Sequence, residues 1–248
     1  MKGKTMVKKL EKRVAIVTGA AGALGRATTA ELRESGVDVV GVDVVGGDCE
    51  QFDIASKEGC AAMVARTLEM HGQLDILVLN AGVQHASPIE SFDDVQWQRV
   101  LDVCLNGPFY AIKAAWPALT GTPGGRIVAT ASTLSFRAEA NKAAYNAAKH
   151  GLLGLIKTAA VEGGQLGLTA NAVAPGWMMT PLVEKQLADQ MRLREASRDE
   201  VLAAFLEEQP VKRFVETTEV AATISFLASP AASAINGVCV PVDLGALA

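Results

Sequence analysis

Short apolar segments alternate along the chain with longer segments in which apolar residues recur at helical spacing. The short segments are rich in Val and Ile, which is typical of parallel strands buried on both faces. The predicted strands are residues 14–18, 37–42, 76–79, 126–131 and 169–173. The predicted helices are residues 25–35, 57–71, 93–119, 143–163 and 217–228. This alternation predicts a doubly wound α/β fold, with a parallel sheet flanked by helices on both faces.

One further segment, residues 182–208, is charged, helical in pattern and preceded by a proline-rich loop. We interpret it as a helical lid over a substrate site, because such segments close over bound ligands. A pair of surface helices without a role in binding would give the same pattern. With 248 residues, the chain is long enough to bury one substantial core. We therefore predict a single domain over residues 1–248 that includes the lid.

Charge and composition exclude several classes of protein. The formal net charge is −4 and the only basic cluster lies within residues 2–13, so we expect no nucleic-acid partner. No apolar run reaches bilayer-spanning length, and no apolar segment follows the basic start, so we expect a cytoplasmic protein without a membrane partner. Four cysteines without CxxC spacing are typical of reduced thiols. Three widely spaced histidines argue against a metal site.

The first predicted strand runs into a glycine-rich turn with a helix behind it. The turn reads Thr18-Gly19-Ala20-Ala21-Gly22-Ala23-Leu24-Gly25. Glycines allow a tight turn in which backbone N–H groups approach a pyrophosphate at the helix N-terminus, where the helix dipole favours an anion. Because the turn follows the first strand, it indicates a dinucleotide held by Gly19, Gly22, Leu24 and Gly25.

Asp43 ends the second predicted strand, about twenty residues beyond the turn, where an acid meets the ribose hydroxyls of a dinucleotide. Its carboxylate would accept hydrogen bonds from the hydroxyls of NAD and repel the extra phosphate of NADP. No Arg or Lys follows closely to compensate a phosphate. The sequence therefore predicts NAD as the cofactor.

A tyrosine and a lysine four residues apart, Tyr145 and Lys149, lie on one face of a predicted helix. A phenol with a pKa of about 10 is a poor base, but a nearby ammonium lowers that pKa. The phenolate can then take a hydroxyl proton as hydride leaves carbon, and the phenol can return it in reduction. Ser132, at the end of the fourth predicted strand, can hydrogen-bond the reacting oxygen. We interpret the three residues as the catalytic set of a dehydrogenase.

In this order, the motifs resemble the short-chain dehydrogenase/reductase family over nearly the whole chain. The resemblance rests on residues 18–25, Asp53, Asn80-Ala81-Gly82, Asn106, Ser132, Tyr145, Lys149 and Pro175-Gly176. It implies a single-domain Rossmann fold and an NAD-dependent oxidoreductase that assembles as a homotetramer through residues 93–119, 143–163 and a last strand at 238–244. Ala23 departs from the family, which usually has glycine there, and its methyl group is expected to shift the turn slightly.

The resemblance also implies roles for individual residues. Asn106 would be a catalytic residue that holds a water relaying protons to Lys149, and Thr180 would bind the carboxamide of the nicotinamide. The cofactor-binding residues that it implies are Asp53, Ile54, Asn80, Ala81, Gly82, Tyr145, Lys149, Pro175, Gly176, Met178 and Thr180.

Three further segments, residues 80–85, 139–142 and 175–186, resemble the D-3-hydroxybutyrate dehydrogenase branch of this family. That resemblance implies a substrate site in which Ser132 and Tyr145 meet the reacting oxygen. The implied contacts to the rest of the substrate are Gln84, Lys142 and Gln186 on the carboxylate and Trp177 on the methyl end. One ammonium and two amides can surround a small anion without burying excess charge.

Leu134 departs from this branch, which has a histidine two positions beyond the catalytic serine. Losing one donor to an anion costs roughly 1.5–3 kcal/mol. Either 3-hydroxybutyrate binds more weakly, or a longer or less charged 3-hydroxy or 3-oxo compound is preferred.

Three other functions are alternatives to a 3-hydroxy acid dehydrogenase. They are a 3-oxoacyl carrier-protein reductase, which Asp43 disfavours, another sugar or alcohol dehydrogenase, and a non-catalytic cofactor-binding protein. The complete set of Ser132, Tyr145 and Lys149 disfavours the last.

Overall fold

The computed structural model describes residues 12–121, 124–180, 183–184, 187–188, 191–192, 195–207 and 209–248. The strands in this part of the chain are β1 Val14–Thr18, β2 Asp38–Asp43, β3 Glu50–Gln51, β4 Ile76–Leu79, β5 Arg126–Thr130, β6 Thr169–Pro175 and β7 Cys239–Val242. They form one sheet in the order β3-β2-β1-β4-β5-β6-β7, and every neighbouring pair is parallel. The predicted doubly wound parallel sheet is confirmed.

The helices of the described part cover both faces of this sheet. They are α1 Ala23–Glu34, α2 Lys57–His71, α3 Asp94–Leu101, α4 Gly107–Gly121, α5 Ala143–Gly164, α6 Arg198–Glu207 and α7 Thr217–Ala228, with a π-helix at Asp102–Asn106 and short 3₁₀ turns at Ile89–Ser91, Thr133–Ser135 and Pro230–Ala232. None of the helices described is long and apolar enough to cross a membrane.

Alternate residues of the central strands face opposite layers of the core. Ile16 packs with Met63 of α2 and Ile156 of α5 in one cluster, whereas the flanking Val17 packs with Ile224 of α7 in the other. All five side chains are at most 1% exposed, and full burial of one such side chain contributes about 1.5–3 kcal/mol. The apolar strands are therefore buried on both faces, as their unbroken hydrophobic pattern predicts.

The helix predicted over residues 93–119 is one helical run with a change of winding in the middle. After α3, the Gly107 N–H donates to the Asp102 carbonyl across five residues, which defines the π-helix, and α4 continues from there. A π-turn inserts one extra residue into the winding, and such turns occur frequently at functional sites. Strand β3 was not predicted, because its two residues are polar and too few to form a pattern.

The order of the strands reverses at the centre of the sheet. From β1 the chain moves outward to β2 and β3, and then returns to the other side of β1 with β4. The loops that follow β1 and β4 therefore diverge and leave a crevice at the carboxyl ends of these strands, where doubly wound folds bind their ligands.

Candidate active site

A cavity of about 890 Å³ opens at the carboxyl ends of the central strands. The predicted site residues that line it are Gly19, Gly22, Leu24, Gly25, Asp43, Asp53, Ile54, Asn80, Ala81, Gly82, Gln84, Ser132, Lys142, Tyr145, Lys149, Pro175, Gly176, Trp177, Met178 and Thr180. Of the remaining two, Asn106 does not line the cavity, and Gln186 lies outside the described residues.

The glycine-rich turn forms a cradle that has no room for a side chain at Gly19 or Gly25. Gly19 has a φ of +68°, and a Cβ on it would lie 2.7 Å from the Cα of Ala81. A Cβ on Gly25 would lie 2.1 Å from the Gly19 carbonyl oxygen. Gly22 immediately precedes α1 and provides no side-chain cap, so the helix N-terminus faces the cavity with its backbone N–H groups. This geometry fits an anionic pyrophosphate.

Ala23 is accommodated in this turn without loss of the helix start. It is the first residue of α1, and the N–H of Arg26 donates to the Gly22 carbonyl at 2.9 Å. The methyl group of Ala23 therefore lies on a regular first turn of α1. The hydrogen bond that starts this helix is formed with alanine at this position.

Asp43 ends β2 with its carboxylate at the wall of the cavity. Oδ2 accepts a hydrogen bond from the Ala21 N–H at 3.0 Å, and Oδ1 accepts one from the Val45 N–H at 3.2 Å. The acid is thus fixed against the glycine-rich turn. Further along the same wall, Asp53 accepts from the Ala55 N–H at 2.9 Å.

Asn80 ties three strand ends together. Its Nδ2 donates to the Thr18 carbonyl at 3.0 Å, and its Oδ1 accepts from the Thr130 hydroxyl at 3.3 Å. The Thr18 hydroxyl in turn accepts from the Asn80 and Ala81 backbone N–H groups at 3.0 and 3.2 Å. Since Thr18 ends β1, Asn80 follows β4 and Thr130 ends β5, the network fixes the floor of the cavity.

Ser132, Tyr145 and Lys149 meet on the cavity wall, and Ser132 hydrogen-bonds the Tyr145 side chain. The Lys149 Nζ lies 5.5 Å from the centre of the Tyr145 ring and donates to the Thr130 carbonyl at 2.7 Å. Lys149 is only 3% exposed. The loop after β5 therefore supplies the serine, and one face of α5 supplies the other two groups.

The electrostatics of Tyr145 differ from the expectation. Desolvation raises the pKa of Tyr145, an effect that the hydrogen bond from Ser132 only partly offsets. The same desolvation lowers the pKa of Lys149. Burial thus disfavours the charged form of both groups, and the ammonium of Lys149 does not by itself turn Tyr145 into a base. In the protein alone, Tyr145 is a phenol that can donate a proton.

The structure does not bring Asn106 to this group. It is the last residue of the π-helix, and its Nδ2 donates to Asp102 Oδ1 at 2.8 Å. The residue of the π-helix that reaches Tyr145 and Lys149 is instead Cys104, which neighbours both of them. The relay role of Asn106 stays a prediction.

The predicted substrate residues form the other end of the cavity. Lys142 Nζ pairs with Glu139 Oε2 at 3.0 Å and lies 4.8 Å from the ring centre of Trp177. Trp177 stacks on Phe205 of α6 with 4.2 Å between ring centres. A residue of the lid segment thus packs behind the predicted substrate wall, and the lid stays a prediction beyond this contact. Leu134, at 6% exposure, also lines the cavity.

Sequence reasoning missed two charged residues at this end. Arg137 and Glu139 line the cavity beside Lys142. Desolvation lowers the pKa of Lys142, Glu139 opposes this effect, and the charge of Arg137 adds a smaller lowering. Both residues belong to the segment between β5 and α5 that already carries Leu134 and Lys142. Their closeness in sequence to these two residues could have indicated that they line the same cavity. Among the described residues, this wall therefore carries the charged side chains of Arg137, Glu139 and Lys142.

Within the described part of the chain, no group of three or more His, Cys, Asp or Glu side chains is placed to hold a metal ion. All four cysteines are free thiols, with Cys60 and Cys104 buried and Cys49 and Cys239 half-buried.

Comparisons with known proteins agree with this geometry. A family model described as enoyl-(acyl carrier protein) reductase, which belongs to the short-chain dehydrogenase/reductases, matches residues 19–246. The chain is 35% identical over 252 residues to a D-beta-hydroxybutyrate dehydrogenase from Rhizobium meliloti (strain 1021), with 94% of this chain and 98% of that protein covered.

Solved structures show the same fold. Levodione reductase superposes with a TM-score of 0.90 at 32% identity, covering 95% of this chain and 98% of that chain. Carveol dehydrogenase from Mycobacterium avium, in complex with NAD, superposes with a TM-score of 0.88 at 28% identity, covering 95% and 97%. The family match over most of the chain, joined to the cradle, Ser132, Tyr145 and Lys149, shows that this chain is an oxidoreductase of the short-chain dehydrogenase/reductase family.

Proposed function

We propose that the protein interconverts a small 3-hydroxy acid and its 3-oxo acid with NAD, and that D-3-hydroxybutyrate and acetoacetate are the substrate pair. The observation that carries the proposal is the wall formed by Lys142 and Arg137 in the same cavity as Ser132 and Tyr145. The ammonium of Lys142 and the guanidinium of Arg137 can both donate charge-assisted hydrogen bonds to the carboxylate of a small acid at this end of the cavity.

The cofactor end supports NAD. The cradle at Gly19 and Gly25 fits a pyrophosphate, and the Asp43 carboxylate fits two ribose hydroxyls rather than a phosphate ester. The carveol dehydrogenase of the same fold is in complex with NAD. When bound, NAD accepts the hydride that leaves the substrate carbon in oxidation and returns it in reduction.

The proton is handled by the chain's own residues. In oxidation, the substrate hydroxyl transfers its proton to the Tyr145 oxygen, the C–H bond releases hydride and the C–O bond becomes a carbonyl. In reduction, Tyr145 donates the proton to the oxygen that receives it. Ser132, already hydrogen-bonded to Tyr145, would hold the reacting oxygen. Lys149 would stabilise the phenolate during oxidation, because an ammonium beside it favours the charged form.

The apolar part of the cavity wall suggests a second candidate substrate class. Leu134 and Trp177 line the cavity where the D-3-hydroxybutyrate dehydrogenase pattern would have a histidine donor beside an aromatic ring. The structural relative named levodione reductase has the same fold at 32% identity. A less charged hydroxy or oxo compound is therefore the alternative substrate class, and the charge of the substrate discriminates between the two proposals.

The deciding experiment is an initial-rate screen with NAD. Both enantiomers of 3-hydroxybutyrate, longer 3-hydroxy acids and the neutral methyl ester of D-3-hydroxybutyrate are compared by kcat/KM. We expect the D-acid to exceed the ester and the other enantiomer. A higher kcat/KM for the ester, or for uncharged alcohols in general, would reject the acid-binding proposal in favour of the alternative.

A variant of Tyr145 tests the chemistry separately from the substrate. Tyr145→Phe should lower kcat by at least about a hundredfold, since general acid–base catalysis contributes 10²- to 10⁴-fold, while the Kd for NADH measured by fluorescence stays near that of the unmodified protein. The matched control is Tyr110→Phe, because Tyr110 is the other tyrosine of the chain and packs against the core instead of the cavity. Turnover that survives in Tyr145→Phe would remove its acid/base role.

A further inference from the structure

Cys104 is a fully buried thiol that the reaction proposed above does not use. It lies in the π-helix Asp102–Asn106 and is 0% exposed. Its Sγ donates to the Val83 carbonyl at 3.3 Å and accepts from the Val83 N–H at 3.4 Å. A single sulfur thus hydrogen-bonds both the backbone N–H and the backbone carbonyl of Val83. The π-helix is tied in this way to the Gly82–Gln84 segment, which lines the cavity.

The same sulfur lies beside the catalytic pair. Cys104 packs in one buried cluster with Ala144 and Ala148, the residues of α5 that flank Tyr145 and Lys149 in sequence. A methyl group on Gly82 would lie 3.9 Å from both Cys104 Sγ and Lys149 Nζ. Three chain segments therefore converge on this thiol: the π-helix, the loop after β4 and the catalytic face of α5.

Burial sets the protonation of both catalytic groups. Desolvation is the largest influence on their pKa values, raising that of Tyr145 and lowering that of Lys149. Cys104 packs in the same buried cluster as Tyr145. A side chain that packs this tightly also keeps water away from the Tyr145 ring.

We propose that Cys104 is a positioning residue, which holds the Gly82–Gln84 segment against Tyr145 and Lys149. The inference rests on the proposed function of Tyr145. A smaller side chain at this position would leave the Val83 N–H and carbonyl without their partner, and the gap would offer water two polar groups to bind. Water beside the phenol would reduce its desolvation, and the loosened segment would carry Gln84 away from the substrate.

The first test compares pH profiles of Cys104→Ala and Cys60→Ala. Cys60 is the matched control, because it is also 0% exposed and its Sγ also donates to backbone carbonyls, of Ile54 at 3.3 Å and Gly107 at 3.6 Å. In Cys104→Ala, the acid limb of kcat/KM for oxidation should move to lower pH by roughly half a unit or more, and KM for the hydroxy acid should rise roughly three- to tenfold. Cys104→Ser, which keeps a donor and an acceptor, should restore most of both. An acid limb that is the same in Cys104→Ala and Cys60→Ala overturns the proposal.

The second test needs no turnover, so it separates this inference from the proposed function. Amide hydrogen exchange measured by mass spectrometry should become faster in the peptide that contains Val83 when Cys104 is Ala, and should be unchanged there in Cys60→Ala. If the protein turns over none of the hydroxy acids, the proposed function fails while this measurement still decides whether Cys104 holds the segment. Unchanged exchange at Val83 in Cys104→Ala overturns the positioning role.

Discussion

Replacing Lys142 by Met tests the proposed substrate class most directly. Lys142 is 3% exposed, and its Nζ lies 4.8 Å from the ring centre of Trp177. Methionine keeps an unbranched apolar side chain of similar length, so the wall of the cavity stays filled while the ammonium is removed. The variant therefore separates the charge of Lys142 from its packing.

The size of the effect follows from the hydrogen bond that is lost. A hydrogen bond to a charged group contributes about 1.5–3 kcal/mol, which corresponds to a loss in kcat/KM of roughly ten- to 150-fold for an acid substrate. Glu139, which pairs with Lys142 at 3.0 Å, is left in the cavity wall without that partner. Its negative charge then repels the substrate carboxylate, which places the expected loss in the upper part of this range.

The assay compares a charged with a neutral substrate. We expect kcat/KM for D-3-hydroxybutyrate to fall by this factor in Lys142→Met, and kcat/KM for its methyl ester to change less than about threefold, since the ester offers no anion. The double variant Lys142→Met with Glu139→Gln should recover part of the loss for the acid, because the residual repulsion is removed. Equal losses for acid and ester would show that Lys142 acts through packing, and the reasoning from charge would be refuted.

Three further predictions concern Asp43, Leu134 and Tyr145. Asp43→Asn keeps an acceptor for the Ala21 N–H but removes the charge, so the ratio of kcat/KM with NAD to that with NADP should fall by about tenfold or more; an unchanged ratio counts against the role of the carboxylate. Leu134→His adds a donor to the cavity wall and should lower KM for D-3-hydroxybutyrate, whereas a KM that stays or rises rejects the carboxylate position. Because desolvation raises the pKa of Tyr145, kcat/KM should rise with pH for oxidation and fall with pH for reduction in steady-state assays, and parallel profiles in both directions would contradict the acid/base assignment.

The sheet could be predicted from the sequence because its strands are unbroken apolar segments. Residues 14–18 and 76–79 have the predicted bounds, since every position in them is buried on one side of the sheet or the other. The end of α2 was also predictable, because Gly72 closes it with a φ of +74° that other residues rarely adopt. A buried apolar strand and a glycine at the end of a helix are both local features, so the residue types in a short segment are enough to predict them.

The winding of the run from α3 to α4 could not be read in the same way. A π-turn shifts the helical phase by one residue, and apolar residues on both sides of it satisfy the helical period equally well. Asn106 was expected at the site through the family resemblance alone. In the structure, Asn106 bonds Asp102, and Cys104 is the residue of the π-helix that neighbours Tyr145. The role of a residue within this segment therefore depended on geometry that the pattern does not contain.

The substrate wall was predictable only in part, for a related reason. Lys142 was expected to be available to the substrate, but an ion pair with Glu139 depends on side-chain directions and not on spacing alone. Arg137 belongs to an irregular segment, where no periodicity says which side chains point inward. Gln186, the remaining residue expected at the carboxylate, lies outside the described residues, and the homotetramer and the lid over residues 182–208 stay predictions.

The burial of Tyr145 and Lys149 affects proton transfer differently in reduction and in oxidation. Desolvation keeps Tyr145 protonated, so the protein alone is prepared to donate a proton, as reduction requires. Oxidation instead needs the phenolate, and Lys149 can stabilise it only as an ammonium, although burial lowers the pKa of Lys149 as well. Positive charge close to both groups would favour the phenolate, and oxidised NAD carries such charge on its nicotinamide ring. Binding of the oxidised cofactor and deprotonation of Tyr145 should therefore favour one another, which couples the acid/base state of the site to the direction in which hydride moves.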